Sequence, residues 1–254
     1  MDLTGRTVLI TGASRGIGRA LAQELSRRRL RLLLGVRDLA DAPALANARA
    51  VELDLSSPAA IDAGLAALDD ETVDVLINNA GEFTAGRLEE QDPDAIAELV
   101  QVNVLGVMHL TRRLLPGMLA RGHGKIVNQG SIVGYLFVPG VTTYAATKAA
   151  VRGFTESLAR ELDGTGVSVL ELVTGGVDTD MLAEARAALD DLYATDTDGW
   201  IQYSAPEWAQ KVVKAIEDDD DVVGPGGKAA LGKLATHGPR WLLDRATRRA
   251  FDRG

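Results

Sequence analysis

Short apolar runs alternate with longer helical patterns along most of the chain, and this alternation restricts the fold more than any other feature. Thr7-Val8-Leu9-Ile10 precedes a helical pattern over 17–29, where Ala20, Leu21, Ala22 and Leu25 form an apolar stripe. Leu32-Leu33-Leu34 and Ala50-Val51-Glu52-Leu53 follow as further strands, then a helix over 57–68 opened by Ser56-Ser57-Pro58. Strand patterns return at 73–77, 125–128, 167–173 and, briefly, 222–223. Between them, 93–121 contains one long helix preceded by a short one, and 143–162 reads as another helix. Strands that alternate with helices predict an α/β chain with a parallel sheet. Nearly continuous apolar strands predict a doubly wound sheet of about seven strands with helices on both faces. A length of 254 residues, 46% of them hydrophobic, suits one domain over 1–254.

Charge and residue usage narrow the function. A formal net charge of −9 argues against nucleic acid or an anionic membrane as the main partner. The chain has no cysteine, which excludes disulfides, thiolate catalysis and Cys-ligated zinc. His109, His123 and His237 are scattered without ligand spacing, so no metal site is expected. No apolar run reaches the length of a membrane span, and the first residues lack a signal pattern, so the cytoplasm is the expected compartment.

Two motifs carry chemistry. The run Thr11-Gly12-Ala13-Ser14-Arg15-Gly16-Ile17-Gly18 joins the first strand to the first helix. A glycine-rich strand-to-helix turn lets backbone approach a phosphate, and the helix N-terminus offers free N–H groups to the anion. Farther on, Tyr144 and Lys148 stand four residues apart, on one face of a helix, with Ser131 thirteen residues upstream. An ammonium beside a phenol favours the phenolate and lowers its pKa, which would make Tyr144 a general acid/base. The combination suggests hydride transfer to or from a nicotinamide.

From Thr4 to Met181 the chain resembles the compact, non-extended branch of the short-chain dehydrogenase/reductase family, with its Rossmann-type fold. Gly12, Gly16 and Gly18 have that family's glycine spacing, and Asn78-Asn79-Ala80-Gly81, Ser131 and Tyr144-x-x-x-Lys148 follow in its order. The resemblance implies a catalytic set of Asn103, Ser131, Tyr144 and Lys148. Ser131 would hold the substrate oxygen and Tyr144 would pass the proton. Lys148 would lower the Tyr144 pKa and hold the nicotinamide ribose, and Asn103 would bend its helix and keep a water for the proton relay. Cofactor contacts are implied for Gly12, Ser14, Arg15, Gly16, Ile17, Gly18, Asp54, Leu55, Asn79, Ala80, Gly81, Tyr144, Lys148, Val177 and Thr179. The family's Pro-Gly after the sixth strand is here Thr174-Gly175, so the turn that leads to the carboxamide contacts is expected to be looser.

Cofactor choice is read at the end of the second strand. The resemblance places Val36 where NAD enzymes keep an acid for the ribose 2′-hydroxyl. Arg37 follows it and Arg15 stands in the glycine turn, which suits a 2′-phosphate. NADP(H) is therefore the expected cofactor, with Asp38 keeping NAD(H) open. The reaction expected is NADP(H)-dependent interconversion of a carbonyl compound and a secondary alcohol. The alternative is a non-catalytic NADP(H) sensor of the same fold.

Substrate and assembly are less constrained. A loop over 174–205 interrupts the pattern, and loops of this length are usually functional. Leu182, Leu189, Leu192, Tyr193 and Trp200, with Phe137, Val138 and Val141, suggest an apolar pocket for a hydrophobic ketone, alcohol or steroid-like molecule. The tail over 228–254 is basic and is expected as two short helices split at Pro239. The resemblance implies a homodimer or homotetramer that shares the 93–121 and Tyr144-bearing helices.

Overall fold

The computed structural model describes residues 1–68, 71–189, 192 and 201–225. The basic tail, Tyr193 and Trp200 lie outside the described residues. The strands are β1 (Thr7–Thr11), β2 (Arg31–Val36), β3 (Ala48–Glu52), β4 (Val75–Asn78), β5 (Gly124–Gln129), β6 (Val167–Leu172), β7 (Gly176–Asp178), β8 (Ile201–Ser204) and β9 (Val222–Val223). The α-helices are α1 (Gly16–Leu25), α2 (Pro58–Ala66), α3 (Pro93–Val100), α4 (Val107–Arg121), α5 (Val133–Leu136), α6 (Thr142–Glu161), α7 (Asp180–Leu189) and α8 (Ala205–Glu217).

Seven strands form one parallel sheet in the order β3-β2-β1-β4-β5-β6-β9, the doubly wound arrangement expected. Alternate side chains sort into two cores, as a period of two requires. Val8, Ile10, Leu32, Leu34 and Ile77 pack with Leu21 and Leu25 of α1 and Trp208 and Val212 of α8. Leu9, Leu33, Leu76, Ile126 and Val169 pack on the other side with Ile61 of α2, Leu110 and Met118 of α4 and Leu158 of α6. The chain runs outward from β1 to β3 and returns beside β1 as β4, so the direction of winding reverses between β1 and β4. Ligands of open α/β sheets bind outside the carboxyl ends of strands at such a reversal.

Over 93–121 the expected short helix and long helix are α3 and α4, and a π-helical segment, Gln101–Gly106, joins them. One expectation changes: the segment 174–205 is not simply a loop. It holds α7, and β7 pairs in parallel with β8 in a small separate sheet. Helix α8 follows directly, opened by a reciprocal cap between Ser204 and Glu207 with proline in its first turn. Among the described residues no helix is long and apolar enough to cross a membrane.

Candidate active site

A cleft of about 830 Å³ runs across the carboxyl ends of β1, β2, β4, β5 and β6. Its floor is tied together by amides and hydroxyls. Asn79 Nδ2 donates to the carbonyls of Thr11 (2.9 Å) and Gly12 (3.3 Å), and Thr11 Oγ1 accepts from the backbone of Asn79 and Ala80. Asn78 Nδ2 reaches Asn128 Oδ1 at 2.8 Å, which fastens β4 to β5. Gly12 has φ +66, and a Cβ on it would stand 2.9 Å from Ala80 Cα. At Gly18 a Cβ would stand 2.1 Å from the Gly12 carbonyl oxygen, so the first turn of α1 seats tightly beneath β1.

That turn fits a dinucleotide phosphate. Arg15, at the N-cap of α1, makes no capping hydrogen bond, and the first turn carries no acid. The leading N–H groups and the positive end of the helix dipole therefore suit an anion. Ser14, Arg15, Gly16, Ile17 and Gly18 line the cleft there. Thr179 approaches from the far wall, where its Cγ2 would lie 3.5 Å from a Cβ on Gly16.

At the outer end, Arg37, Asp54, Leu55, Asn79, Ala80 and Gly81 line the cleft. Asp54 is occupied locally, accepting from Ser56 N (3.0 Å) and Ser56 Oγ (2.6 Å). Asp38 does not face the cleft. Its carboxylate caps the short turn over Leu39–Asp41 by accepting from Ala40 N at 2.9 Å. Glu82, which the sequence reading passed over, also lines the cleft and pairs with Arg37.

At the inner end, Ser131, Tyr144 and Lys148 line one wall. Ser131 follows β5, and the other two come from the first turns of α6. The Ser131 hydroxyl accepts from Val133 N at 3.3 Å and lies near enough to Tyr144 to draw its pKa down. Lys148 Nζ lies 5.5 Å from the Tyr144 ring centroid and donates to the Gln129 carbonyl at 2.9 Å. Asn103 sits in the π-helical segment, buried. Its Oδ1 accepts from Glu82 N (2.8 Å), and its Nδ2 donates to Glu82 O (2.9 Å) and Thr147 Oγ1 (3.2 Å). One residue thus ties the strand-four loop to α6. π-Helical segments concentrate at functional sites.

The pKa expectation is corrected. Burial pushes the Tyr144 phenol up to about 12, against a smaller downward pull from the Ser131 hydroxyl. The Lys148 ammonium does not offset this, because it points at the Gln129 carbonyl instead. Burial also pushes Lys148 down, to about 8.

The apolar pocket is met in part. Val138, Val141, Leu189 and Leu192 gather with Phe83, Val133 and Tyr144, and Phe83 meets the Tyr144 ring edge-on at 4.9 Å. Leu182 and Leu189 line the cleft. Phe137 does not belong to it: it is 57% exposed, in a left-handed turn with φ +52. Val177 and Thr179 line the cleft after Thr174. In place of a proline ring, Thr174 Oγ1 accepts a hydrogen bond from Gln129 Nε2 at 2.5 Å. Gln129 was missed because its partner is 45 positions away.

The model of a family described as short chain dehydrogenase matches residues 6–190. The chain is 36% identical over 204 residues to the 3-oxoacyl-(acyl-carrier-protein) reductase FabG of Vibrio cholerae, covering 78% of this chain and 82% of the relative. A short-chain dehydrogenase from Burkholderia cenocepacia in complex with NADP superposes with a TM-score of 0.83 at 26% identity, over 97% of this chain and 99% of that one. A 3-oxoacyl-(acyl-carrier protein) reductase from Brucella melitensis with bound NAD superposes with a TM-score of 0.71 at 32% identity, over 83% of each chain.

Proposed function

The chain belongs to the short-chain dehydrogenase/reductase family of NAD(P)(H)-binding oxidoreductases, and from that premise we propose that it interconverts a hydrophobic carbonyl compound and its secondary alcohol with NADP(H). The observation that carries the reading is the convergence of Ser131, Tyr144 and Lys148 on one end of a cleft whose other end presents an uncapped helix N-terminus, Arg15 and Arg37. When bound, the nicotinamide supplies the hydride or takes it up.

Ser131 and Tyr144 hold the substrate oxygen and stabilise the charge that develops there. Tyr144 passes its phenolic proton to that oxygen in reduction and takes one back in oxidation. A phenol pushed up to about 12 is a reluctant acid near neutral pH, so Lys148 favours the phenolate only if its ammonium turns from the Gln129 carbonyl toward Tyr144 as the proton leaves. Lys148 remains mostly an ammonium at pH 7 with a pKa of about 8. Asn103 holds the loop that carries Glu82 and Phe83, and so positions the ring that packs on Tyr144.

Arg15 and Arg37 favour the 2′-phosphate of NADP(H), while Asp38 is spent on its own turn. The apolar wall of Phe83, Val133, Val138 and Leu189 favours an apolar substituent beside the carbonyl. In assembly, the exposed Leu105 and Leu119 near and on α4 suit a homodimer or homotetramer. The test is consumption of NADPH, with NADH in parallel, against 3-oxoacyl thioesters, aliphatic and aromatic ketones, and steroids. Turnover confined to small polar sugars would overturn the substrate reading, and turnover with NADH alone would overturn the cofactor reading.

A further inference from the structure

Arg37 does not stand alone at the mouth of the cleft. Its Nη1 lies 3.4 Å from Glu82 Oε1, and both residues line the same space. The Arg37 side chain is 67% exposed and that of Glu82 is 32% exposed. Glu82 is held firmly for a loop residue, because its backbone N–H and C=O both bond the side chain of the buried Asn103. Its carboxylate therefore stays in reach of Arg37. Of the other acids nearby, Asp38 caps Ala40 and Asp54 accepts from Ser56, while Asp41 also lines the cleft and Glu82 is the one that meets Arg37 at ion-pair distance.

We propose that Glu82 sets cofactor selectivity by acting as the resident counter-ion of Arg37. The inference rests on the reading that Arg37 receives the 2′-phosphate. A dinucleotide with a 2′-hydroxyl leaves the Arg37–Glu82 pair intact. One with a 2′-phosphate must draw Arg37 from Glu82 and then sit near a carboxylate of the same sign. The pair thus taxes NADP(H) and not NAD(H), and narrows the preference that Arg15 and Arg37 would give by themselves. An exposed ion pair is weak and screened by salt, so the tax is a modest factor, not an exclusion.

The experiment is calorimetric titration of NADP⁺ and NAD⁺, which differ at the 2′ position, into the wild-type protein, Glu82→Gln, Arg37→Ala and the double variant. The expected result is NADP⁺ binding about threefold to fivefold tighter in Glu82→Gln at low salt, with NAD⁺ unchanged. That gain should vanish in the Arg37→Ala background. If Arg37→Ala weakens NADP⁺ selectively while Glu82→Gln leaves both ligands unchanged, the inference fails and the Arg37 reading stands. If Arg37→Ala affects NADP⁺ and NAD⁺ equally, the Arg37 reading itself fails. Weaker NAD⁺ binding in Glu82→Gln would mean that Glu82 holds a ribose hydroxyl directly, which also overturns the inference.

Discussion

The two ends of the cleft are built on opposite physical terms. At the reaction end, Asn103 is 1% exposed and Lys148 4%, and each polar side chain is bonded to another element of the fold. At the outer end, Arg15 and Arg37 are exposed, and Arg37 meets the Glu82 carboxylate at 3.4 Å. Charges in a low-dielectric interior interact strongly and shift each other's titration, while exposed ones are weakened by water and salt. The inner end can therefore decide whether chemistry happens, and the outer end only which cofactor is favoured. Substitutions at the two ends should differ in size and in the constant they move.

The largest effect belongs to Tyr144→Phe. Removing a general acid/base lowers turnover by about 10²–10⁴-fold, while NADP⁺ affinity measured by calorimetry should change little. The ring still packs on Phe83, so the fold should survive. Equal loss of binding and turnover would erase the proposed division between the ends.

Lys148 sharpens the contrast, because function and stability oppose each other there. Its folded pKa is about 8 against an ordinary 10.5. Below pH 8 the buried ammonium costs stability. Between pH 8 and pH 10 the unfolded chain holds a proton that the folded chain has released, so stability rises with pH. The rise is on the order of 2 kcal/mol across that window. Above pH 10 the raised pKa of Tyr144, about 12, contributes in the opposite sense. Denaturant titrations of wild type and Lys148→Met at pH 8 and pH 10 should show the rise in the wild type and its absence in the variant. The variant should also lose turnover. Parallel pH profiles would show that Lys148 is better solvated than its burial implies.

At the outer end Arg37→Ala should weaken NADP⁺ about tenfold and leave NAD⁺ nearly unchanged. Raising the ionic strength should shrink the difference, since the guanidinium is exposed. A salt-independent difference would place Arg37 in a drier setting than its exposure indicates.

Much of the fold and part of the site were legible in the sequence, and the boundary between legible and illegible follows sequence distance. Period-two apolar runs located the strands, and the glycine spacing located the turn, because both are local. The capping signature at Ser204-Ala205-Pro206-Glu207 was equally local and could have located α8. The Arg37–Glu82 and Gln129–Thr174 contacts join residues 45 positions apart, and only the sheet order brings them together. The Tyr144 pKa was misjudged for the same reason. The i, i+4 spacing predicted a neighbouring charge, but burial depends on Phe83 and α7, which local spacing does not report. Phe137 was placed in the pocket by hydrophobicity alone, and its left-handed backbone turns it out.

The smallest expected effect lies at the inner end and tests whether wiring there matters without charge. Gln129 joins Lys148 to Thr174. Its carbonyl accepts from Lys148 Nζ, its Nε2 donates to Thr174 Oγ1, and its Oε1 is buried without a hydrogen-bond partner. Gln129→Leu keeps the backbone acceptor for Lys148 but leaves Thr174 without its donor. Losing one neutral hydrogen bond costs about 1 kcal/mol, and removing the orphaned Oε1 returns part of that. Global stability should therefore barely move. The turn from Thr174 into β7 should loosen, and with it Val177 and Thr179. The expected reading is a rise of about fivefold in the cofactor's KM with kcat nearly kept. Thr174→Val should produce the same rise, and the double variant should add nothing, because both remove one shared bond. Additive effects would mean that the two residues act separately, and that the turn is held by its backbone bonds, Thr174 N to Leu172 O and Ile132 N to Thr174 O.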